Sequence, residues 1–171
     1  NLEQITDPLG HITSYDYDPN GNRVLAVDAL NHATNYTYDI LNRLTVITDA
    51  LDHSTTTAYD LVGNILSVTD ANNHTTSYQY DANNQLIQVT DARNGIVLYG
   101  YDFNGNRTSL TDANNHVTTY TYDAQNRLLT ITDPESHVTI HSYDVNGNRV
   151  TTLDANGNTT TYTFDELNRL I

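Results

Sequence analysis

Residues 120–133 read YTYDAQNRLLTITD, and the same grammar returns at 36–49 as YTYDILNRLTVITD and at 78–91 as YQYDANNQLIQVTD. An aromatic–Asp pair begins at Tyr17, Tyr38, Tyr59, Tyr80, Tyr101, Tyr122, Tyr143 and Phe164, a step of 21 residues each time. A second aspartate keeps the same step at Asp7, Asp28, Asp49, Asp70, Asp91, Asp112, Asp133 and Asp154. Eight repeats without an insertion predict a repeat architecture, in which each repeat packs against its neighbours.

Each repeat carries two copies of one turn signal: Asp, two further residues, then Gly or Asn. Asp18 with Gly21, Asp39 with Asn42, Asp60 with Gly63, Asp102 with Gly105 and Asp144 with Gly147 carry it in one column. The Asp side chain bonds forward to backbone, and Gly or Asn tolerates φ > 0 in the fourth place. Pro8, Pro19 and Pro134 directly follow an Asp, where a preset φ suits the turn. Across both columns only Asp52 and Ser136 replace Gly or Asn in the fourth place. Gly100 lies instead between Tyr99 and Tyr101, which predicts a close approach inside a strand.

Between turns lie runs of six or seven residues rich in Thr, Tyr, Val and Ile, which read as strands and leave no room for a helix. The first strand of a repeat places aromatics at alternate positions, as at Tyr36 and Tyr38, so both share one face. In the second strand the steadiest apolar column stands two places before the Asp, at Ile5, Ala26, Ile47, Val68, Val89, Leu110 and Ile131. A weaker column four places before it (Val24, Thr45, Leu66, Ile87, Thr108, Leu129, Val150) is assigned to the same face as the tyrosines. Arg23, Arg107 and Arg149 alternate with Leu44, Leu86 and Leu128 one place earlier, which leaves the register open by one residue. After the Asp, odd repeats read NGNR or VGNI and even repeats LNRL, NNQL or QNRL, which gives the repeat a second period of 42 residues.

The fold class is therefore all-β: an array of 21-residue antiparallel hairpins forming a curled or tubular sheet. A parallel β-solenoid is the alternative. It would stack two continuous aspartate ladders at about 4.8 Å, whereas hairpins separate equivalent aspartates by about 10 Å, where solvent screens them. Residues 1–171 read as a single repeat array beginning and ending mid-repeat, and so as a fragment of a longer one whose ends pair with more of the same.

The net charge of −14, with seven arginines and no lysine, argues against nucleic acid and anionic membrane as partners. No cysteine is present, which excludes disulfides and thiolate metal sites. No apolar run is long enough for a membrane-spanning helix.

The segments YDYDPNGNRVLAVD, YGYDFNGNRTSLTD and YTYDAQNRLLTITD resemble the YD repeats, also called RHS repeats, over essentially the whole chain. The resemblance implies long β-hairpin sheets that spiral into hollow shells, as in bacterial polymorphic toxins, toxin-complex subunits and teneurins. It implies a toxin enclosed in the shell, or a cell-surface scaffold. Here Gly-Asn-Arg and Asn-Arg-Leu alternate where the family usually has Gly-Arg-Leu, and the strict regularity leaves room for a uniform tube or fibre.

Candidate sites are weighed against structural roles. His11, His32, His53, His74, His116 and His137 form one column after a turn, read as polar turn residues rather than metal ligands. The aspartate columns are read as turn formers rather than calcium ligands. The arginines are expected to stack on tyrosine or pair with turn carboxylates. Asp7-Pro8-Leu9-Gly10 reads as an ordinary turn. No nucleophile–base set or phosphate loop stands outside the repeat grammar, so no catalytic, metal or cofactor residue is assigned.

The sequence thus points to a non-enzymatic structural β-scaffold of a large extracellular or cell-surface protein, forming a fibre, tube or shell wall. Its expected partners are further copies of the same repeat, with enclosed cargo or a surface glycan as alternatives. The structural residues are the turn pairs above and the aromatic column from Tyr17 to Phe164.

Overall fold

The computed structural model describes residues 1–171, and it contains β-strands and no helix. Its contacts group into two compact units, residues 1–79 with 91–93, and residues 80–90 with 94–171. The first unit holds β1 (Gln4–Thr6), β2 (Ile12–Tyr17), β3 (Arg23–Val27), β4 (Ala33–Tyr38), β5 (Leu44–Thr48), β6 (Ser54–Tyr59) and β7 (Ile65–Thr69). It also holds β8 (Thr75–Tyr80) up to Gln79. The second holds β9 (Leu86–Thr90), β10 (Ile96–Tyr101), β11 (Arg107–Thr111), β12 (Val117–Tyr122), β13 (Leu128–Thr132), β14 (Val138–Tyr143), β15 (Arg149–Leu153) and β16 (Thr159–Thr161). Within each unit every strand pairs antiparallel with its neighbours in chain order. The hairpin array is what the sequence predicts, and the antiparallel pairing excludes the solenoid.

The turns follow from the Asp-x-x-Gly/Asn signal. At Asp18 the backbone N–H donates to the Asn22 carbonyl at 2.9 Å, and the Gly21 N–H donates to the Asp18 carbonyl at 3.0 Å. This is a type I turn closed by one left-handed residue, the arrangement that carries a hairpin over three loop residues. Gly21, Gly63, Gly105 and Gly147 have φ of 89°, 104°, 85° and 92°, and Asn42 has 60°. The two residues that break the Gly/Asn rule obey the geometry too, Asp52 at 63° and Ser136 at 69°. Backbone pairing therefore imposes the conformation, and the side chain bears its cost.

In the hairpins that turn at a Tyr-Asp aspartate the ladder skips one residue, while the pairs joined by the other turn column keep a regular register. Tyr36 pairs with Ile47 and Thr37 with Val46, but Tyr38 pairs with Leu44, leaving Thr45 as the extra residue of a β-bulge. The same shift sets Tyr17 opposite Arg23, Tyr59 opposite Ile65, Tyr101 opposite Arg107, Tyr122 opposite Leu128 and Tyr143 opposite Arg149. The column five places before the Asp stands opposite the Tyr-Asp tyrosine, because the bulge moves the pairing by one residue, and this settles the one-residue ambiguity of register that the sequence leaves open.

One face thus carries Tyr36, Tyr38, Leu44 and Ile47, and the other Asn35, Thr37, Val46 and Thr48. Threonine and serine bridge strands on the second face, as in Thr48 to Ser54 at 2.8 Å and Thr121 to Thr130 at 2.7 Å. No apolar side chain is fully buried. The one buried residue is His141, 7% exposed, standing in the tyrosine column. Gly100 is the predicted close approach: a Cβ there would collide with the Ser109 hydroxyl on the neighbouring strand.

The left-handed positions make a paired prediction. Ser136→Gly should raise the unfolding free energy by about 0.5–1 kcal/mol, and Gly147→Ala should lower it by at least as much. Thermal or urea unfolding reads both, and equal stabilities across the set would contradict the turn assignment.

Candidate functional site

The residues singled out by the repeat meet along the seam between successive hairpins. Most turn aspartates use both carboxylate oxygens within their own turn, whereas Asp81 accepts backbone N–H groups on Oδ1 alone. Asp18 Oδ1 accepts the N–H groups of Asn20 at 2.9 Å and Asn22 at 2.8 Å, while Oδ2 accepts the Asn22 amide at 2.9 Å. Asp60, Asp102 and Asp144 repeat this with Asn64, Asn106 and Asn148. At Asp39 and Asp123 the side-chain donor is Arg43 or Arg127, each placing Nε 2.7 Å from Oδ2. These bonds favour the ionised carboxylate. The backbone N–H of Arg43 foremost holds Asp39 below its ordinary pKa, and the Asn22 amide foremost does so for Asp18.

The other turn column uses histidine as the donor. His11, His32, His53, His74, His116 and His137 each place Nδ1 2.8–3.1 Å from Oδ2 of the aspartate four residues earlier. The predicted histidine column is thus six separate Asp–His pairs, each engaged in its own turn. One turn adds a third potential ligand, since Asp133, Glu135 and His137 have donor atoms within 4.8 Å of one another. His141 differs from this column. Burial pushes its imidazole below the usual value, with the Arg149 charge adding to this, and its Nδ1 lies 3.1 Å from the Thr152 hydroxyl.

The tyrosine of each Tyr-Asp pair reaches backwards. Tyr38 donates its hydroxyl to the Arg23 carbonyl at 3.0 Å, Tyr59 to Leu44 at 2.9 Å, Tyr101 to Leu86 at 2.8 Å, Tyr122 to Arg107 at 2.9 Å and Tyr143 to Leu128 at 2.8 Å. Tyr17 does the same to Leu2 at 2.9 Å. Tyr80 is half-buried in the same column. The ladder between β3 and β4 covers Leu25 to Val27 and stops short of Arg23, so the tyrosine supplies that carbonyl with a donor. Phe164 has no hydroxyl and pairs by backbone with Leu170. Sequence reading gives the tyrosines a packing role only. The fixed distance of 15 residues from hydroxyl to carbonyl is the signal it misses.

The 42-residue period has a physical cause in the same seam. Odd repeats end the turn Gly-Asn-Arg, or Gly-Asn-Ile in the third, and even repeats Asn-Arg-Leu, or Asn-Gln-Leu in the fourth. From odd to even, the Asn22 amide donates to Asn42 Oδ1 at 2.8 Å, and Arg23 lies over the Tyr36 ring at 4.6 Å. From even to odd, Arg43 Nη1 donates to the Asp60 carbonyl at 2.6 Å and its guanidinium lies 4.7 Å from the Tyr59 ring. Arg127 does the same to Asp144 and Tyr143, passing over Gly147, where a Cβ would stand 3.8 Å from its Nη1. An asparagine with its side chain serves the first seam; in the second, a Cβ at Gly147 would make only ordinary contact with the arginine and one at Gly63 would meet nothing, so the glycine there answers the left-handed backbone.

The sequence profile of the RHS Repeat family matches residues 1–33, 59–96, 80–115, 101–138 and 143–171. A search of curated proteins gives no match. Among solved structures, the crystal structure of TcdB2-TccC3-Cdc42 is similar with a TM-score of 0.77 at 20% identity, over 94% of this chain and 10% of that one. The Photorhabdus luminescens Tc holotoxin pore with a mutated TccC3 gives 0.75 at 19% identity, over 94% and 10%. TcdB2-TccC3 without its hypervariable C-terminal region gives 0.74 at 19%, over the same shares. The chain therefore spans about a tenth of the length of these relatives, and the likeness shows the fold alone.

Two predictions follow from the seam. Tyr122→Phe should lower stability by about 1 kcal/mol in urea unfolding, since it leaves the Arg107 carbonyl without its hydroxyl donor. The turn carboxylates are held below the ordinary aspartate pKa in the folded chain, so their contribution is complete above that ordinary value. It is lost as the pH falls through the lowered folded-state values. Melting temperature should then be flat from about pH 5 to pH 6 as far as the aspartates are concerned, and should fall steadily below about pH 4.

Proposed function

This chain belongs to the RHS-repeat family, and on that premise we propose that it is a non-enzymatic structural scaffold, part of the wall of a large secreted or cell-surface protein. The observation that carries this reading is how the repeated polar groups are used. The Tyr-Asp tyrosine hydroxyl is bonded to the preceding hairpin and the aspartate carboxylate to its own turn. The most repeated chemical groups of the chain hold hairpins in register, and none is arranged as a nucleophile with its base. In this reading the turn residues and the aromatic column are the working parts, and the natural partners are further copies of the same repeat extending one array.

A closed shell around a cargo is the form of wall we favour over a fibre. The support is the likeness in fold to TcdB2-TccC3 structures, of which this chain would correspond to one stretch of wall. The alternative of an adhesin-like surface rests on the half-buried Tyr99 and Tyr101. Electron microscopy of the full-length protein distinguishes these forms. Discrete hollow particles of fixed size are expected; long filaments would replace the shell by a fibre. Saturable glycan binding lost on replacing Tyr99 and Tyr101 by alanine would replace the scaffold by a binding module.

A further inference from the structure

The even repeats place an arginine four residues after the turn aspartate, at Arg43, Arg127 and Arg169. The fourth repeat has Gln85 there instead. What surrounds an arginine in this slot is known from the two filled internal copies. Arg43 has Nε 2.7 Å from Asp39 Oδ2, Nη1 2.6 Å from the Asp60 carbonyl, and its guanidinium 4.7 Å from the Tyr59 ring centroid. For Arg127 the corresponding distances, to Asp123, Asp144 and Tyr143, are 2.7, 3.2 and 4.6 Å.

All three receiving groups recur around Gln85: the Asp81 carboxylate, the Asp102 carbonyl and the Tyr101 ring. The turn itself is intact, with the Gln85 N–H donating to Asp81 Oδ1 at 2.9 Å and the Asp81 N–H donating to the Gln85 carbonyl at 3.0 Å. Tyr101 is held in place by its hydroxyl bond to the Leu86 carbonyl at 2.8 Å. The Gln85 side chain is shorter and neutral. Its amide lies over Gly105, with Nε2 3.2 Å from where a Cβ would stand. Neither Asp81 Oδ2 nor the Tyr101 ring has a cationic partner. A cavity of about 330 Å³ opens here, running from Asp81 and Gln85 inward to Ile87 and Tyr99 and out to Phe103. A hollow of about 340 Å³ also lies at the filled slot, bounded by Gln125, Arg127, Tyr143, Asp144 and Val145, so the two differ in lining rather than in volume: only the one at Gln85 extends to Ile87 and Tyr99 and is lined by no cation.

We propose that this open slot is a binding site for a guanidinium group on a short aliphatic stem, the chemistry of an arginine side chain. A planar guanidinium serves an in-plane carboxylate, a carbonyl to one side and an aromatic face at once, as Arg43 does in its own slot. An ammonium is a point charge and cannot reproduce that fork. The chain's charge of −14 draws cations to the site. The ligand contacts are those that hold one hairpin to the next, so occupancy also fastens the seam between the fourth and fifth repeats.

The test is a proton–nitrogen NMR titration of the full chain with methylguanidinium chloride. Expected are saturable shifts confined to the amides of residues 81–85 and 99–103, with a dissociation constant on the order of 1 mM. Methylammonium should bind at least about tenfold more weakly. Gln85→Arg, which fills the slot from within, should abolish the shifts, and Gln85→Ala, which only shortens the side chain, should keep them. Two further arms separate the sources of the ligand. Nα-acetylarginine amide binding more tightly than free L-arginine assigns a peptide-borne side chain, and the reverse order assigns the free amino acid. Shifts that do not saturate, that spread equally over all turns, or that survive Gln85→Arg would overturn the proposal. So would their loss in Gln85→Ala, and the wild-type and alanine arms decide the matter even if the arginine variant does not fold.

Discussion

An aspartate accepting two backbone N–H groups and one side-chain donor within five residues is the interaction on which this chain rests. With no fully buried apolar side chain, nothing resembling an interior core fixes where each strand reverses. The carboxylate does so locally, and because it is ionised its hydrogen bonds are the stronger kind. Two such turns per repeat set the strand length, and the strand length sets which residues face each other. A single hairpin held this way is marginal in water, but each added hairpin contributes another set of cross-strand pairs.

Between hairpins the work is done by groups that usually appear in binding sites. Tyrosine hydroxyls supply carbonyls at the place where the ladder stops, and arginines lie over tyrosine rings, Arg43 and Arg127 while also bonded to a turn carboxylate and a carbonyl. Each contact is worth about 1 kcal/mol or less, so no single one decides stability. Their repetition along the chain does. The side chains that would suggest catalysis or metal binding in an isolated motif are here occupied with holding the array together.

Much of this was legible in the residues. The period, the turn positions, the all-β class and the tyrosine face follow from Asp, Gly, Asn and Tyr recurring in fixed columns. The left-handed backbone at Asp52 and Ser136 follows from register alone, against the preference of either side chain. What escaped was the bulge opposite Tyr38, because one extra residue leaves no mark in composition. The hydroxyl bond to a carbonyl 15 residues back escaped as well, because it joins β4 to β3 beyond the end of their regular ladder. The alternation between repeats was visible, but its use was not: the Asn22 amide reaches Asn42 in one seam, and Arg43 reaches the Asp60 carbonyl in the next.

That alternation gives the array a parity. Removing one 21-residue repeat would set two repeats of the same phase side by side, a glycine turn next to a glycine turn or an arginine next to an asparagine. Removing two keeps every seam as it was. Growth and loss of such a chain by unequal recombination therefore conserve its contacts only in pairs of repeats, and the heritable unit of this array is 42 residues long. Gln85 marks a seam where that pairing is relaxed, and so a place where the array tolerates a change of phase better than at Arg43 or Arg127.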